Sequence, residues 1–356
     1  MKAVRNSILK KAGAKKPIAI DLFCGVGGLT HGLERAGLRV KAGIDIDAAC
    51  NFAYETNNGS KFIASDVMAL SPGDLETIWG DSSTRVLVGC APCQPFSKYS
   101  GGRSRQDQSK PISRFAYLVK HLRPEVVSME NVAAVESYPA FSGFVSTLKT
   151  NGYQVSWEIV DASAYGVPQK RKRLILVASR LGEVKLPEPT TAAKPPTVRQ
   201  SIAALPHIAA GAVHATDPVH RASDLSSLNL RRIQASKPGG TWRDWSDDLR
   251  AACHRVSSGA TYPAVYGRME WDAPGPTVTT QFFGYGNGRF GHPDQDRALS
   301  LREGAMLQTF PRNYQFERAD ERRAFTQIGK HIGNAVPVSL ATAIGKSIRT
   351  HIEEHE

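Results

Sequence analysis

Cys93 stands in the stretch Gly89-Cys90-Ala91-Pro92-Cys93-Gln94-Pro95-Phe96-Ser97, just past the apolar run Val86-Leu87-Val88. That run reads as a short buried strand, stopped by Gly89 and Pro92, so Cys93 falls in a loop at the strand end. A thiolate attacks electron-poor carbon well even when only a small fraction of it is ionised at neutral pH. A lone cysteine in such a place is more often a plain core residue. The Cys90-to-Cys93 spacing also fits a redox pair or half a zinc site; no second close pair completes the zinc site, and no metal is expected. Pro92 and Pro95 stiffen the loop, which suits aiming a side chain better than filling a core.

Three carboxylates occupy matching places. Asp45 follows Val40–Ile44, Asp66 follows Phe62-Ile63-Ala64, and Glu130 follows Val126–Met129. One acid after one strand is an ordinary helix cap. Several in succession, with a cysteine among them, point to a shared edge. Strands are predicted at Ile18–Ile20 and at the four runs already named, then near Val155–Val160 and Leu174–Ala178. Helices are predicted over Thr30–Ala36, Ala48–Thr56, Ser113–Leu122 and Phe141–Lys149. This alternation argues for an α/β fold: a parallel sheet with helices on both faces. In such sheets the ligand crevice lies outside the carboxyl ends of the strands.

A glycine-rich turn, Gly25-Val26-Gly27-Gly28, follows the first strand and opens the first helix. It offers the close backbone approach that a nucleotide-type cofactor needs, although its spacing is not the dinucleotide fingerprint. Asp45, about twenty residues on, suits ribose hydroxyls. Asp66 suits an adenine amino group.

The rest of the chain bounds the function class. Its 356 residues allow one large domain or two modest ones. A net charge of +12 and a pI near 9.5 suggest a polyanionic partner. Residues 1–16 carry Lys2, Arg5, Lys10, Lys11, Lys15 and Lys16 with no acid, and read as a flexible basic arm. There is no signal-peptide core or membrane-length apolar run, and the five cysteines form no framework; a cytoplasmic home is expected. Pro187, Pro189, Pro195 and Pro196 mark a linker, beyond which residues to about 296 lack clear alternation and read as a second, smaller domain. Helical periodicity returns near Leu299–Leu307, and a helix is predicted over Val338–Ile348. The division expected is 1–16, 17–185, 186–296 and a return to the first domain over 297–356.

These motifs resemble the DNA cytosine-5 methyltransferases, of the bacterial or phage restriction–modification type. Asp21-Leu22-Phe23-Cys24-Gly25-Val26-Gly27-Gly28 is similar to the family's S-adenosylmethionine motif, and Pro92-Cys93-Gln94 to its catalytic motif. Glu130-Asn131-Val132, Gln169-Lys170-Arg171-Lys172-Arg173, Arg297–Pro311 and Gly333-Asn334-Ala335-Val336-Pro337 resemble the motifs that follow, in the family's order. The resemblance implies a Rossmann-like methyltransferase sheet with a smaller, irregular target-recognition domain at 186–296. It implies Cys93 as the nucleophile at carbon 6 of cytosine and Glu130 as the proton donor at N3. Arg171 and Arg173 would hold the extruded base and its phosphate; their alternation should turn both to one face and Lys170 and Lys172 to the other. S-adenosylmethionine would be held by Phe23, Gly25, Gly27, Leu29, Asp45, Ile46, Asp66, Val67, Asn334 and Val336. Gln94, Ser97, Gln169, Thr279, Thr280 and Arg289 are the expected substrate contacts, with Arg231, Arg232, Trp242 and Arg243 as further candidates. Gly101-Gly102 through Lys110 resembles a loop that closes over the site.

The implied partner is double-stranded DNA, read at a specific sequence by a monomer. A restriction endonuclease is an expected functional partner. Two rival readings use the same motifs: an RNA cytosine methyltransferase and a DNA-binding regulator without chemistry. The long insert argues against the first, and intact Cys93, Glu130 and Arg173 argue against the second. A nicotinamide oxidoreductase would explain the glycine turn but neither Pro-Cys-Gln nor Glu-Asn-Val.

Overall fold

A computed structural model describes residues 17–92, 110–256, 259–318, 320–321 and 323–356. The expected basic arm at 1–16 lies outside these residues. Strand and helix alternate as β1 (Ile18–Leu22), α1 (Gly28–Arg35), β2 (Arg39–Asp45), α2 (Asn51–Asn57), β3 (Lys61–Ala64) and α3 (Pro72–Trp79). Then come β4 (Arg85–Gly89), α4 (Lys110–Leu122), β5 (Val126–Val132), α5 (Pro139–Thr150), β6 (Gln154–Asp161), the short β7 (Gln169–Lys170) and β8 (Lys172–Ser179).

Seven strands form one sheet in the order β3-β2-β1-β4-β5-β8-β6. The chain winds outward from β1 to β3, then returns to β4 on the other side of β1. That reversal creates a crevice at the carboxyl ends of β1 and β4, where open α/β sheets bind ligands. Strands β1 to β5 are parallel, as expected. The expectation of a wholly parallel sheet needs correcting at β8, which runs antiparallel to both β5 and β6. Between β6 and β8 there is only a 3₁₀ turn (Ala162–Tyr165) and β7, with no crossover helix. A parallel return needs a crossover of a dozen residues or more, so the chain turns back beside β6.

Alternate residues of each strand serve opposite faces. Ile18, Ile20, Leu22, Leu87, Leu174 and Leu176 pack under α3, α4 and α5 with Leu75, Phe115 and Phe144. Ala19, Val86, Val88, Ile175 and Val177 pack under α1 and the last helix with Leu33, Leu340, Ile344 and Ile348.

The segment after β8 is built from α6 (Val198–Ile202), β9 (Val213–His214), β10 (Asp217–Arg221), α7 (Ser227–Gln234), several 3₁₀ turns and β11 (Gly275–Pro276). The chain closes with α8 (Leu301–Leu307), α9 (Phe325–Asn334) and α10 (Val338–Glu353). Val198, Met269, Val278 and Phe282 share one apolar cluster with Tyr54, Leu301, Phe310 and Ile328. Three buried or half-buried arginine–carboxylate forks reinforce it: Arg297–Glu303, Arg302–Asp217 and Arg221–Glu317. Helix α10 lies close along α1; a Cβ added at Gly32 would fall 2.3 Å from Ala341 Cβ. No helix among the described residues is long and apolar enough to cross a membrane.

Candidate active site

The turn after β1 is unusual backbone. Phe23, Gly25 and Gly27 all have positive φ, at 60°, 52° and 89°. The two glycines serve different ends. A Cβ at Gly25 would meet nothing within 4 Å, whereas one at Gly27 would fall 2.5 Å from Asn58 Nδ2. Gly25 therefore opens into a cleft, and Gly27 caps α1 against the protein interior. Asp45 holds the turn: its Oδ2 accepts from Gly25 N–H at 2.8 Å and its Oδ1 from Asp47 N–H at 2.9 Å.

The cleft has a volume of about 1560 Å³, larger than a typical small-ligand pocket. Phe23, Gly25, Leu29, Asp45, Ile46, Asp66 and Val67 line one end, and Asn334 and Val336 close it from the C-terminal side. Ile46 is 71% exposed there, an apolar side chain that a flat ring could cover. Asp66 is exposed and spends Oδ1 on Met68 N–H, 2.9 Å away. His331 Nε2, on α9, meets Asp47 Oδ2 at 2.8 Å and ties that wall to the end of β2. With Cys50 these two make a trio of metal-ligand type within 4.8 Å. Asp47 is already engaged by His331, and burial, then the charges of Asp45 and Asp47, push the Cys50 thiol well up, which disfavours the thiolate a metal would need.

Glu130, Arg171 and Arg173 line the same cleft. Glu130 is 3% exposed at the end of β5, with Arg173 Nε 3.1 Å from Oε1 and Cys90 Sγ 3.0 Å from Oε2. The Arg173 contact is an ion pair rather than an aligned hydrogen bond, since Oε1 counts no hydrogen-bond donor among the described residues. Arg171 is buried, donating from Nη1 to Val278 O at 2.8 Å and from Nη2 to Gly333 O at 3.5 Å. Its Nε is buried without a partner among the described residues. Burial, then the charge of Arg173, lower its guanidinium to about 9, while Glu130 and Cys90 hold it up. Arg171 thus keeps its charge at neutral pH and has a donor to spare. Lys170 and Lys172 face solvent, as alternation requires.

The described residues stop at Pro92 and resume at Lys110, so Cys93, Gln94, Ser97 and the expected closing loop lie outside them. The approach to Cys93 is nonetheless anchored: Asn131 Nδ2 donates to Ala91 O at 3.0 Å, and Asn131 Oδ1 accepts from Val132 N–H at 2.8 Å.

Thr280 lines the cleft from the insert side, together with Gln281, Phe283 and Asn287. Four other expected contacts fall elsewhere. Gln169 is fully buried; its Nε2 donates to Leu307 O and Gln308 Oε1, and its Oε1 accepts from Val278 N–H. Its amide is spent joining β7 to the insert and α8, and none of it reaches the cleft. Thr279 is exposed beyond the cleft wall, and its carbonyl presses on Gly333, whose added Cβ would sit 2.3 Å away. Arg289 spends Nη1 on Gly240 O at 2.6 Å, a loop-holding contact. Gly27 faces inward as described. Among the further candidates, Arg231 pairs with Asp248, Arg232 holds Leu249 O, and Trp242 is local core with Arg243 over its ring.

Sequence reasoning did not single out Asp21. It is fully buried at the end of β1, where Oδ2 accepts from Thr30 Oγ1 at 2.7 Å and Oδ1 has no partner among the described residues. Burial pushes its carboxyl up to about 7, against the Thr30 hydrogen bond and with the repulsion of Asp45. An acid raised on folding stabilises fully below its unfolded value, near 3.8, and loses that contribution as pH rises through 7. The loss is on the order of 4 kcal/mol. Asp21→Asn should therefore gain stability over the parent progressively between about pH 4 and pH 7 in denaturant titrations. A difference between the two that stays constant across this range would show that Asp21 does not titrate there.

The family described as C-5 cytosine-specific DNA methylase matches residues 18–350. The Type II methylase M.HgiDII of Herpetosiphon aurantiacus is 47% identical over 338 residues, covering 94% of this chain and 95% of that protein. DNA (cytosine-5)-methyltransferase 2 of Arabidopsis thaliana is 27% identical over 93% of this chain, which spans 28% of that longer protein. Among solved structures, a Spodoptera frugiperda DNMT2 mutant superposes with a TM-score of 0.66 at 16% identity, over 94% of this chain and 100% of that one, a likeness of fold. The match along nearly the whole length places this chain in the C-5 cytosine-specific DNA methylase family, as a DNA cytosine-5 methyltransferase.

Proposed function

We propose that this methyltransferase works on a cytosine flipped out of a specific duplex sequence, through a covalent bond to Cys93, with S-adenosylmethionine as methyl donor. The observation that carries the reading is one cleft with two differently equipped ends. One end has the open Gly25 turn, Asp45, Asp66 and the uncovered Ile46; the other has Glu130, Arg171 and Arg173. The first suits a nucleoside with hydroxyls and a flat base, and the volume leaves room for a second reactant.

S-adenosylmethionine, when bound, would supply an electrophilic methyl group. Asp45 and Asp66 would accept from its ribose and adenine, and Phe23 and Ile46 would cover the ring. Cys93 adds as thiolate to carbon 6, which makes carbon 5 an enamine carbon able to take the methyl. Glu130 gives a proton or hydrogen bond to N3, relieving the charge that addition creates. The spare Nε–H of Arg171 and the guanidinium of Arg173 steady that charge. A solvent base then takes the carbon 5 proton, the C–S electron pair leaves with the sulfur to restore the Cys93 thiolate, and any proton lent to N3 returns to Glu130. A base inside a duplex must leave the stack to reach so recessed a site. Residues 186–296 would read the DNA, with Thr280 and Gln281 nearest the cleft. The likeness to a Type II methylase supports a place beside a restriction endonuclease.

The test is a duplex library carrying 5-fluorocytosine, incubated with the protein and S-adenosylmethionine. Fluorine cannot leave as the proton does, so a denaturation-resistant protein–DNA adduct should form on the cognate sequence. Its absence on every sequence, or methyl transfer to RNA alone, would overturn the reading.

A further inference from the structure

Among the described residues Cys90 is, with Arg173, a polar group in direct contact with Glu130, and the chemistry above gives it no task. It follows β4 directly and lines the cleft half-buried. The parallel register that pairs Gly89 with Met129 brings the next residues, Cys90 and Glu130, side by side at the sheet edge. Cys90 Sγ donates to Glu130 Oε2 at 3.0 Å, while Arg173 Nε stands 3.1 Å from Oε1. The carboxyl is therefore gripped from both sides, by groups on two different strands. The grips differ in kind. Arg173 offers charge without an aligned hydrogen bond, and Cys90 offers an aligned donor without charge.

We propose that Cys90 is a positioning residue for the reaction: its S–H holds Glu130 Oε2 so that the carboxyl waits in one rotamer for N3 of the cytosine. A glutamate side chain has several rotatable bonds, and fixing them beforehand is worth rate only when the residue acts in the transition state. The thiol suits the task because it turns about a single bond from a strand-anchored Cα and donates only weakly. It can orient the carboxyl without competing strongly for the proton the carboxyl must share with the base. A second reading, that Cys90 is merely a small residue filling the strand end, predicts that any side chain of its size would serve.

The inference rests on the role proposed for Glu130, so the test is a double-mutant cycle in the full-length protein. Cys90→Ala and Cys90→Val both remove the donor, and Val keeps more of the bulk. Each should lower kcat about tenfold, with KM for duplex and for S-adenosylmethionine changed by less than about twofold. Cys90→Ser, which keeps a donor, should stay within about threefold of the parent. In a Glu130→Ala background, Cys90→Ala should change the rate by less than about twofold, because the group it positions is already gone. Unchanged kcat in Cys90→Val, or the same tenfold loss in both backgrounds, would overturn the inference while leaving Glu130 in its role. Full activity in Glu130→Ala alone would instead remove the reading on which it rests. Thermal unfolding of each variant separates a folding defect from a catalytic one; should Cys90→Ala fold poorly, the Val and Ser variants still decide.

Discussion

Cys93→Ser should bind its duplex about as well as the parent, within about threefold, and transfer methyl groups at least about 1000-fold more slowly. The expected loss is large because a serine hydroxyl ionises far less readily than a thiol, and addition at carbon 6 depends on the ionised form. Two other cysteines at the cleft, Cys24 and Cys50, cannot stand in. Burial, then the charges of Asp21 and Asp45, push the Cys24 thiol well up. Burial and the charges of Asp45 and Asp47 do the same to Cys50. Both are therefore held as unreactive thiols. Binding should survive because a duplex contact would draw on the chain's positive charge, +12 in all, rather than on one sulfur. Gel shift and transfer of labelled methyl on the same preparation measure the two quantities. Transfer within about tenfold of the parent would remove Cys93 from the chemistry.

The second large effect is on folding. Glu303→Ala should destabilise the protein by about 3–5 kcal/mol and lower the melting temperature by roughly 4–7 °C. Arg297 is 0% exposed and donates to Glu303 from both Nη atoms at 2.7 Å, so the substitution strands a buried cation. It also removes a capping box, because Glu303 Oε2 accepts from Ser300 N–H at 2.7 Å while Ser300 Oγ accepts from Glu303 N–H at 3.1 Å. Burial would raise the Glu303 carboxyl, but Arg297's hydrogen bonds and charge bring it down to about 2. The pair's stabilisation is thus present above about pH 4.5 and is lost as pH falls toward 2. Calorimetry should show the difference between parent and Glu303→Ala narrowing in acid. A shift below about 2 °C at neutral pH would mean that Arg297 finds another partner cheaply.

Much of the catalytic half was legible from strand pattern alone. Asp45, Asp66 and Glu130 could be placed because each ends an apolar run, and in a parallel sheet all such ends share an edge. The antiparallel turn at β8 was not legible, since Leu174–Ala178 has the same apolar texture whichever way it runs. Helix α3 carried a signal that periodicity alone overlooked: Ser71, Pro72 and Asp74 form a capping box with proline in the first turn. Helix α9 was hidden by Gly329 and Gly333, which read as breaks. They are there because Phe283 and the Thr279–Thr280 backbone press against the helix, and an added Cβ would fall 2.2 and 2.3 Å from them. Gln169 and Arg289 show the limit of residue type. Their amide and guanidinium groups suit DNA, yet tertiary contacts far away in sequence claim them. Asp21 was concealed because nothing local says which acid of a motif will be sealed under a helix.

The docking of α10 on α1 bears on how the protein is made. A ribosome releases α1 early, and its apolar side, with Leu29 and Leu33, waits for a cover formed by Leu340, Ile344 and Ile348. At ordinary elongation rates that wait lasts on the order of tens of seconds. Throughout it the stretch between β8 and α8 emerges, while the sheet stays open on one side. The half that is written first is therefore completed last, when α10 arrives to cover α1.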